Sequence, residues 1–94
     1  MIERQNYLKT KKYLIYLEEV MQLTPESLGR YRFYLRHLLL WVGDKEFKDV
    51  QEIRPTFPAY LANIPGKDGK GTLAGTTQKK ILDTSKRFFH WAKA

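Results

Sequence analysis

Apolar residues recur at helical spacing along most of this chain, and no segment carries a convincing strand alternation. Between Gln5 and Leu23, Leu8, Leu14, Ile15, Leu17, Val20 and Met21 join Tyr7, Tyr13 and Tyr16 in that rhythm, with no Gly or Pro among them. A first helix over this stretch follows. Thr24-Pro25-Glu26-Ser27 then reads as a helix start. Thr24 is a capping residue, Pro25 suits the first helical position, and Glu26 favours the positive end of the helix dipole. The second helix is expected to run to Val42, where Gly43 supplies a stop. Its core stripe is Leu28, Tyr31, Leu35, Leu38, Leu39 and Val42. Arg30, Phe33, His37 and Leu40 lie roughly opposite, Arg32 and Arg36 on one flank, and Ser27, Tyr34 and Trp41 on the other. Phe33 and Leu40 are surplus to a plain amphipathic helix, so another helix is expected to cover them, with a partner surface as the other option.

Gly43 to Pro55 is polar and broken. A short third helix is expected over Thr56–Ile64, with Phe57, Tyr60, Leu61 and Ile64 inward and Pro58 tolerated in the first turn. Pro65 to Gly71, with three glycines in seven residues, reads as a flexible loop. The fourth helix is expected from about Thr76 to about Trp91, burying Ile81, Leu82, Ser85, Phe88, Phe89 and Ala92. Thr76, Lys80, Asp83 and Arg87 lie opposite that stripe, with Lys79, Lys86, His90 and Lys93 beside them. The expectation is an all-α fold of four helices, one domain spanning residues 1–94.

Composition narrows the function classes. Thirteen aromatic residues (six Tyr, five Phe, two Trp) are hard to keep solvated in 94 residues, which argues for a packed core. There is no cysteine, so disulfides and thiolate metal sites are excluded. His37 and His90 are the only histidines, the carboxylates are scattered, and no zinc or acid–base spacing emerges. Thr24, Thr56 and Thr76-Thr77 sit at helix starts, where capping explains them better than nucleophilic catalysis. Lys70-Gly71-Thr72 has the wrong order for a phosphate-binding loop. No enzyme activity, cofactor or metal is expected of this chain. Arg4, Lys9, Lys11, Lys12, Glu18 and Glu19 break up the first twenty residues, and no apolar run reaches a membrane span of roughly 20 residues. A soluble, cytoplasmic protein with no membrane partner is expected.

The net charge of +7 points to a polyanionic partner. The excess is concentrated on two helices: Arg30, Arg32 and Arg36 against Glu26 on the second, and Lys79, Lys80, Lys86, Arg87 and Lys93 against Asp83 on the fourth. Each of these helices also starts with short polar residues, and helix N-termini attract phosphate through free N–H groups and the dipole. The plain alternative for Arg30, Arg36, Lys80 and Lys86 is solvated surface charge.

Two segments carry a family resemblance. Leu23-Thr24-Pro25-Glu26-Ser27-Leu28-Gly29-Arg30-Tyr31-Arg32-Phe33-Tyr34-Leu35-Arg36 resembles the LSxxTxxxYxxxLxxF helix of the SAM-like core-binding domain of tyrosine recombinases and phage integrases. Ser27, Tyr31 and Leu35 take the Thr, Tyr and Leu places. Ala74 to Trp91 is similar to the closing TxxRxLsalRxFFxw helix, with Thr77, Lys80, Leu82, Lys86 and Phe89 on its marked positions. Phe57-Pro58-Ala59-Tyr60-Leu61 stands where that family has a short third helix ending in YL. The departures are Ser27 for Thr, Lys80 and Lys86 for Arg, and polar Ser85 at a common aliphatic place; lysine lacks the bidentate fork of arginine.

The resemblance implies a module for DNA integration or recombination that grips double-stranded DNA through its second and fourth helices. Its implied partners are a C-terminal catalytic domain of the same parent chain and other recombinase protomers on the assembled site. The nucleophilic tyrosine would belong to that catalytic domain, so none of the six tyrosines here takes the role. Carried over by position, the DNA-facing residues are Ser27, Arg30, Tyr34, Thr76, Thr77, Lys80 and Lys86, with Arg32, Arg36, Lys79 and Arg87 as supporting phosphate contacts. The implied setting is the nucleoid of a bacterial, archaeal or phage-infected cell. A helical protein–protein module, using Phe33, Leu40 and Trp41 as an apolar patch, is the alternative. An RNA-binding unit is disfavoured because the chain lacks the exposed aromatic platform expected for single strands.

Overall fold

In the computed structural model, which describes residues 2–64 and 73–93, the chain is all-α, with no strand among the described residues. Four α-helices follow in order: α1 (Arg4–Glu19), α2 (Pro25–Val42), α3 (Phe57–Ala62) and α4 (Gly75–Lys93). A fifth helical element, the 3-10 helix Phe47–Glu52, lies between α2 and α3. The expected glycine-rich loop Pro65–Gly71, and with it Lys70-Gly71-Thr72, falls outside the described residues.

The boundaries of α2 follow from local chemistry. Thr24 accepts a hydrogen bond from the Ser27 backbone N–H at 3.2 Å, Pro25 occupies the first helical position, and Gly43 leaves the helix at φ 64°. That positive φ is one a glycine adopts without steric cost. The first helix is shorter than its periodicity predicts, ending at Glu19 and not at Leu23. Glu18 and Glu19 stand at the negative end of the dipole, where carboxylates are unfavourable. Gln22 then turns the chain at φ 55°, leaving Thr24 free to cap α2.

The 3-10 helix corrects the expectation of a broken polar connection and of four helices in all. Side chains three apart eclipse in this geometry. Phe47, Val50 and Ile53 are spaced accordingly, and Phe47 and Ile53 are buried while Val50 is half-buried. Periodicity read at the α-helical spacing does not register a stripe of three.

α2 and α4 share the most extensive interhelical contact, and α1 and α3 each pack against both. The core between them is built on Leu35 and Leu38 of α2, Leu61 of α3, and Ile81 and Phe88 of α4, all at most 1 % exposed. Phe88 meets Tyr13 of α1 edge-on at 5.5 Å and Phe47 of the 3-10 helix at 5.2 Å, so three elements converge on one ring. Trp41 stacks on Phe57 at 4.8 Å and its indole N–H donates to the Pro55 carbonyl at 2.9 Å, which fastens α3 beside α2.

On α4, Ile81, Ser85 and Phe88 are buried as expected and Leu82 and Phe89 half-buried, but Ala92 is exposed and Thr84 is buried instead. The inward face is rotated towards Thr84, and in the last turn it is Trp91, and not Ala92, that packs on Tyr13 and Tyr16 of α1. Buried Ser85 is satisfied inside its own helix, its hydroxyl donating to the Ile81 carbonyl at 2.9 Å. The first turn of α1 is tied to the end of α2 by a polar clasp. Glu3 caps α1 by accepting from the Asn6 N–H, its own N–H donates to the Gly43 carbonyl at 2.9 Å, and the Asn6 amide donates to the Lys45 carbonyl at 2.6 Å. Asn6 is 2 % exposed, and a buried amide this well partnered costs little.

Removing the ring on which three elements meet is expected to be severe. Phe88→Ala should cost about 3–5 kcal/mol in urea unfolding with an unchanged slope. Ala92→Ser, at an exposed site, should stay within about 0.5 kcal/mol.

Candidate nucleic-acid interface

The packing of α2 against α4 turns one flank of each helix towards the other. Between them runs an open groove of about 300 Å3, lined from α2 by Ser27, Arg30, Tyr31 and Tyr34 and from α4 by Lys80, Asp83, Thr84 and Arg87, with Leu23 at one end. Residues at i, i+3, i+4 and i+7 on a helix fall on one face, which brings Ser27, Arg30 and Tyr34 into line and Lys80 with Asp83, Thr84 and Arg87. Tyr34 is held edge-on by Tyr31 at 6.4 Å and Phe33 at 5.9 Å, so its hydroxyl-bearing ring is steered by neighbours on its own helix.

Five of the eleven residues singled out from sequence therefore share one groove: Ser27, Arg30, Tyr34, Lys80 and Arg87. Lys86 lies in the adjoining cleft, to which Arg87 also contributes. Lys79 is exposed in the second turn of α4, and Thr76 and Thr77 occupy its first turn without lining the groove. Arg32 and Arg36 go elsewhere. They border a separate groove of about 450 Å3 between α1 and α2, whose floor includes Leu14, Leu28, Leu35 and Leu39. A ligand lying along the α2–α4 groove does not meet that pair.

The electrostatics favour an anion. The one ion pair among the described residues is Lys48–Glu46 at 3.1 Å, in the connection after α2. Arg30, Lys80, Lys86 and Arg87 thus have no carboxylate partner among the described residues, and Asp83, the single acid in the groove, pairs with none of them. Asp83 and Tyr31 line the groove although the periodicity puts Tyr31 in the core stripe of α2 and Asp83 opposite that of α4; both are half-buried, and only the tertiary packing brings them to the groove.

Among the described residues no group of three or more His, Asp or Glu side chains is placed to hold a metal ion, and no helix is long and apolar enough to cross a membrane. Comparison of the chain with protein-family models, curated proteins and solved structures gives no match.

Phe33 and Leu40 are not covered by another helix, contrary to expectation: each is 47 % exposed. Phe33 meets His37 edge-on at 4.8 Å, and His37 and Leu40 border a shallow depression with Pro55, Tyr60, Asn63 and Ile64. α3 is only six residues long and stops at Ala62, too short to reach over the middle of α2. Trp41, expected in the same apolar patch, is instead engaged with Phe57 and Pro55.

Burial first, and the Arg36 guanidinium second, push the His37 imidazole below its ordinary value of 6.5. A histidine that binds its proton less readily when folded contributes stability that is complete above pH 6.5 and is lost as pH falls from there through the lowered value. Stability measured by urea titration should therefore decline below pH 6.5, and His37→Gln should flatten that part of the profile; an unchanged profile would place the titration elsewhere.

Proposed function

We propose that this chain is the DNA-binding module of a tyrosine recombinase or phage integrase, a four-α-helix SAM-like core-binding domain that grips duplex DNA through α2 and α4. The observation that carries the reading is the groove itself. Arg30, Lys80 and Arg87, without carboxylate partners among the described residues, converge on it from two helices, beside the hydroxyl groups of Ser27 and Tyr34. Phosphate oxygens bind such a mixture of guanidinium, ammonium and hydroxyl donors, and the contacts position a duplex without reading its sequence. Where Arg30 reaches a base edge, guanine is the natural acceptor. The 3-10 helix adds to the family's helical plan without disturbing the α2–α4 pair.

In this reading the bond-breaking chemistry belongs to a catalytic domain of the parent protein, and the module contributes grip and register. Other protomers on the same site would be partners through the DNA. A second reading, a protein-interaction module, rests on the uncovered Phe33 and Leu40. The two differ in salt dependence, because displacing counterions from phosphate is steeply salt-sensitive and burial of apolar surface is not.

Titration into a labelled duplex at about 50 and 200 mM salt should show a fall of roughly 100-fold, as expected when about four phosphates are neutralised. Lys80→Ala with Lys86→Ala should weaken binding to all sequences and reduce the salt slope by about 2. Arg32→Ala with Arg36→Ala, on the other side of α2, should leave the slope nearly as it was. Absence of binding at the lower salt, with the helical spectrum intact, would move the assignment to the protein-interaction reading.

A further inference from the structure

Next to the groove, where the end of α1 meets the end of α4, lies a second and larger cleft of about 780 Å3. Its walls are unusual in combining aromatic rings with cations. Tyr13 and Tyr16 of α1, Tyr31 of α2 and Trp91 of α4 supply the rings. Trp91 sits 5.1 Å from Tyr13, 5.9 Å from Tyr16 and 6.2 Å from Phe88, centroid to centroid, and is still only half-buried. Lys86, Arg87 and His90 stand along the α4 side, Leu17, Met21 and Leu23 complete the lining, and among the described residues no carboxylate lines the cleft.

This combination selects among ligands. An aromatic cage alone suits an organic cation, but Lys86 and Arg87 oppose one. A purely apolar helix would leave the two cations stranded. A flat ring that carries a negative charge satisfies both halves, and a nucleobase with its phosphate is such a group. The volume lies within the range of about 300–1,000 Å3 typical of small-molecule sites. The cleft is also continuous with the α2–α4 groove, since Leu23, Tyr31 and Arg87 line both.

We propose that the cleft receives an unpaired base of the nucleic-acid strand whose backbone follows the α2–α4 groove, the base stacking against Trp91 and Tyr16 while Lys86 and Arg87 hold the adjoining phosphate. This rests on the reading of the groove as a DNA-binding surface and adds a preference to it. The module binds best where a duplex gives way to single strand. Stacking on an aromatic side chain tolerates any base, so the preference is structural and independent of sequence.

The test compares a blunt duplex with the same duplex carrying a short thymidine tail, at about 50 mM salt, where phosphate contacts are strongest. The tail should tighten binding by about 5- to 150-fold, the worth of stacking a base on an aromatic ring. Trp91→Ala should abolish that gain and leave affinity for the blunt duplex unchanged. In a Trp41→Phe background, which keeps an aromatic ring against Phe57, Trp91 is the only tryptophan, and the tailed duplex should quench its emission; this needs no change in the cleft. Equal affinity for tailed and blunt duplexes, or unquenched Trp91 emission at saturation, overturns the stacking cleft while leaving the groove in place. Binding of the tailed duplex alone upholds the cleft and overturns the duplex reading. Quenching by free thymidine monophosphate at concentrations as low as those of the tailed duplex overturns the assignment to a strand in favour of a free nucleotide.

Discussion

The contact between α2 and α4 is the constraint on which the rest of this fold depends. Leu35 and Leu38 on one helix and Ile81 and Phe88 on the other are sealed from solvent, and α1 and α3 each lean on both helices. The short outer helix would not hold its place without that pair: α3 has six residues, and isolated helices of this length are not stable in water. The same contact decides the surface. Once the inner stripes of α2 and α4 are locked together, Ser27, Arg30 and Tyr34 are brought to face Lys80 and Arg87 across one groove.

Much of this was legible in the sequence, for identifiable reasons. The start and stop of α2 are encoded locally by Thr24, Pro25 and Gly43, so they are where the residues place them. Long, strongly periodic segments disclose their inward faces, and the stripes of α2 and α4 were nearly right. The 3-10 helix was not legible, because Phe47, Val50 and Ile53 obey a period of three over a short span. The end of α1 was misplaced because its apolar rhythm continues through Val20 and Met21, both of which are exposed. Periodicity records what a helix could bury and not what its neighbours reach. The same limit explains Phe33 and Leu40, left uncovered by a short α3, and the cleft around Trp91, whose rings come from three separate helices.

Gathering cations in one groove has an energetic side. Among the described residues, Arg30, Lys80 and Arg87 share a groove with a single carboxylate that pairs with none of them, so the cations repel one another. A polyanion relieves that repulsion, and whatever binds the folded state alone also stabilises it. The cost of that repulsion to the protein is moderated by solvent, since Arg30, Lys80 and Arg87 are exposed. Asp83 lies among them as a counterweight that stops short of forming an ion pair.

Thr84 lies where the groove meets the core. It is buried at 4 % exposure and also lines the groove, which makes it both floor and spacer. A small side chain at that point lets two helix backbones come close, while a longer one would wedge them apart. The floor between the two rows of charge therefore includes an uncharged residue that no inventory of arginines and lysines would single out. A chain could keep every cation and still change the spacing between its two charged rows through the growth of one hidden side chain by a few methylenes.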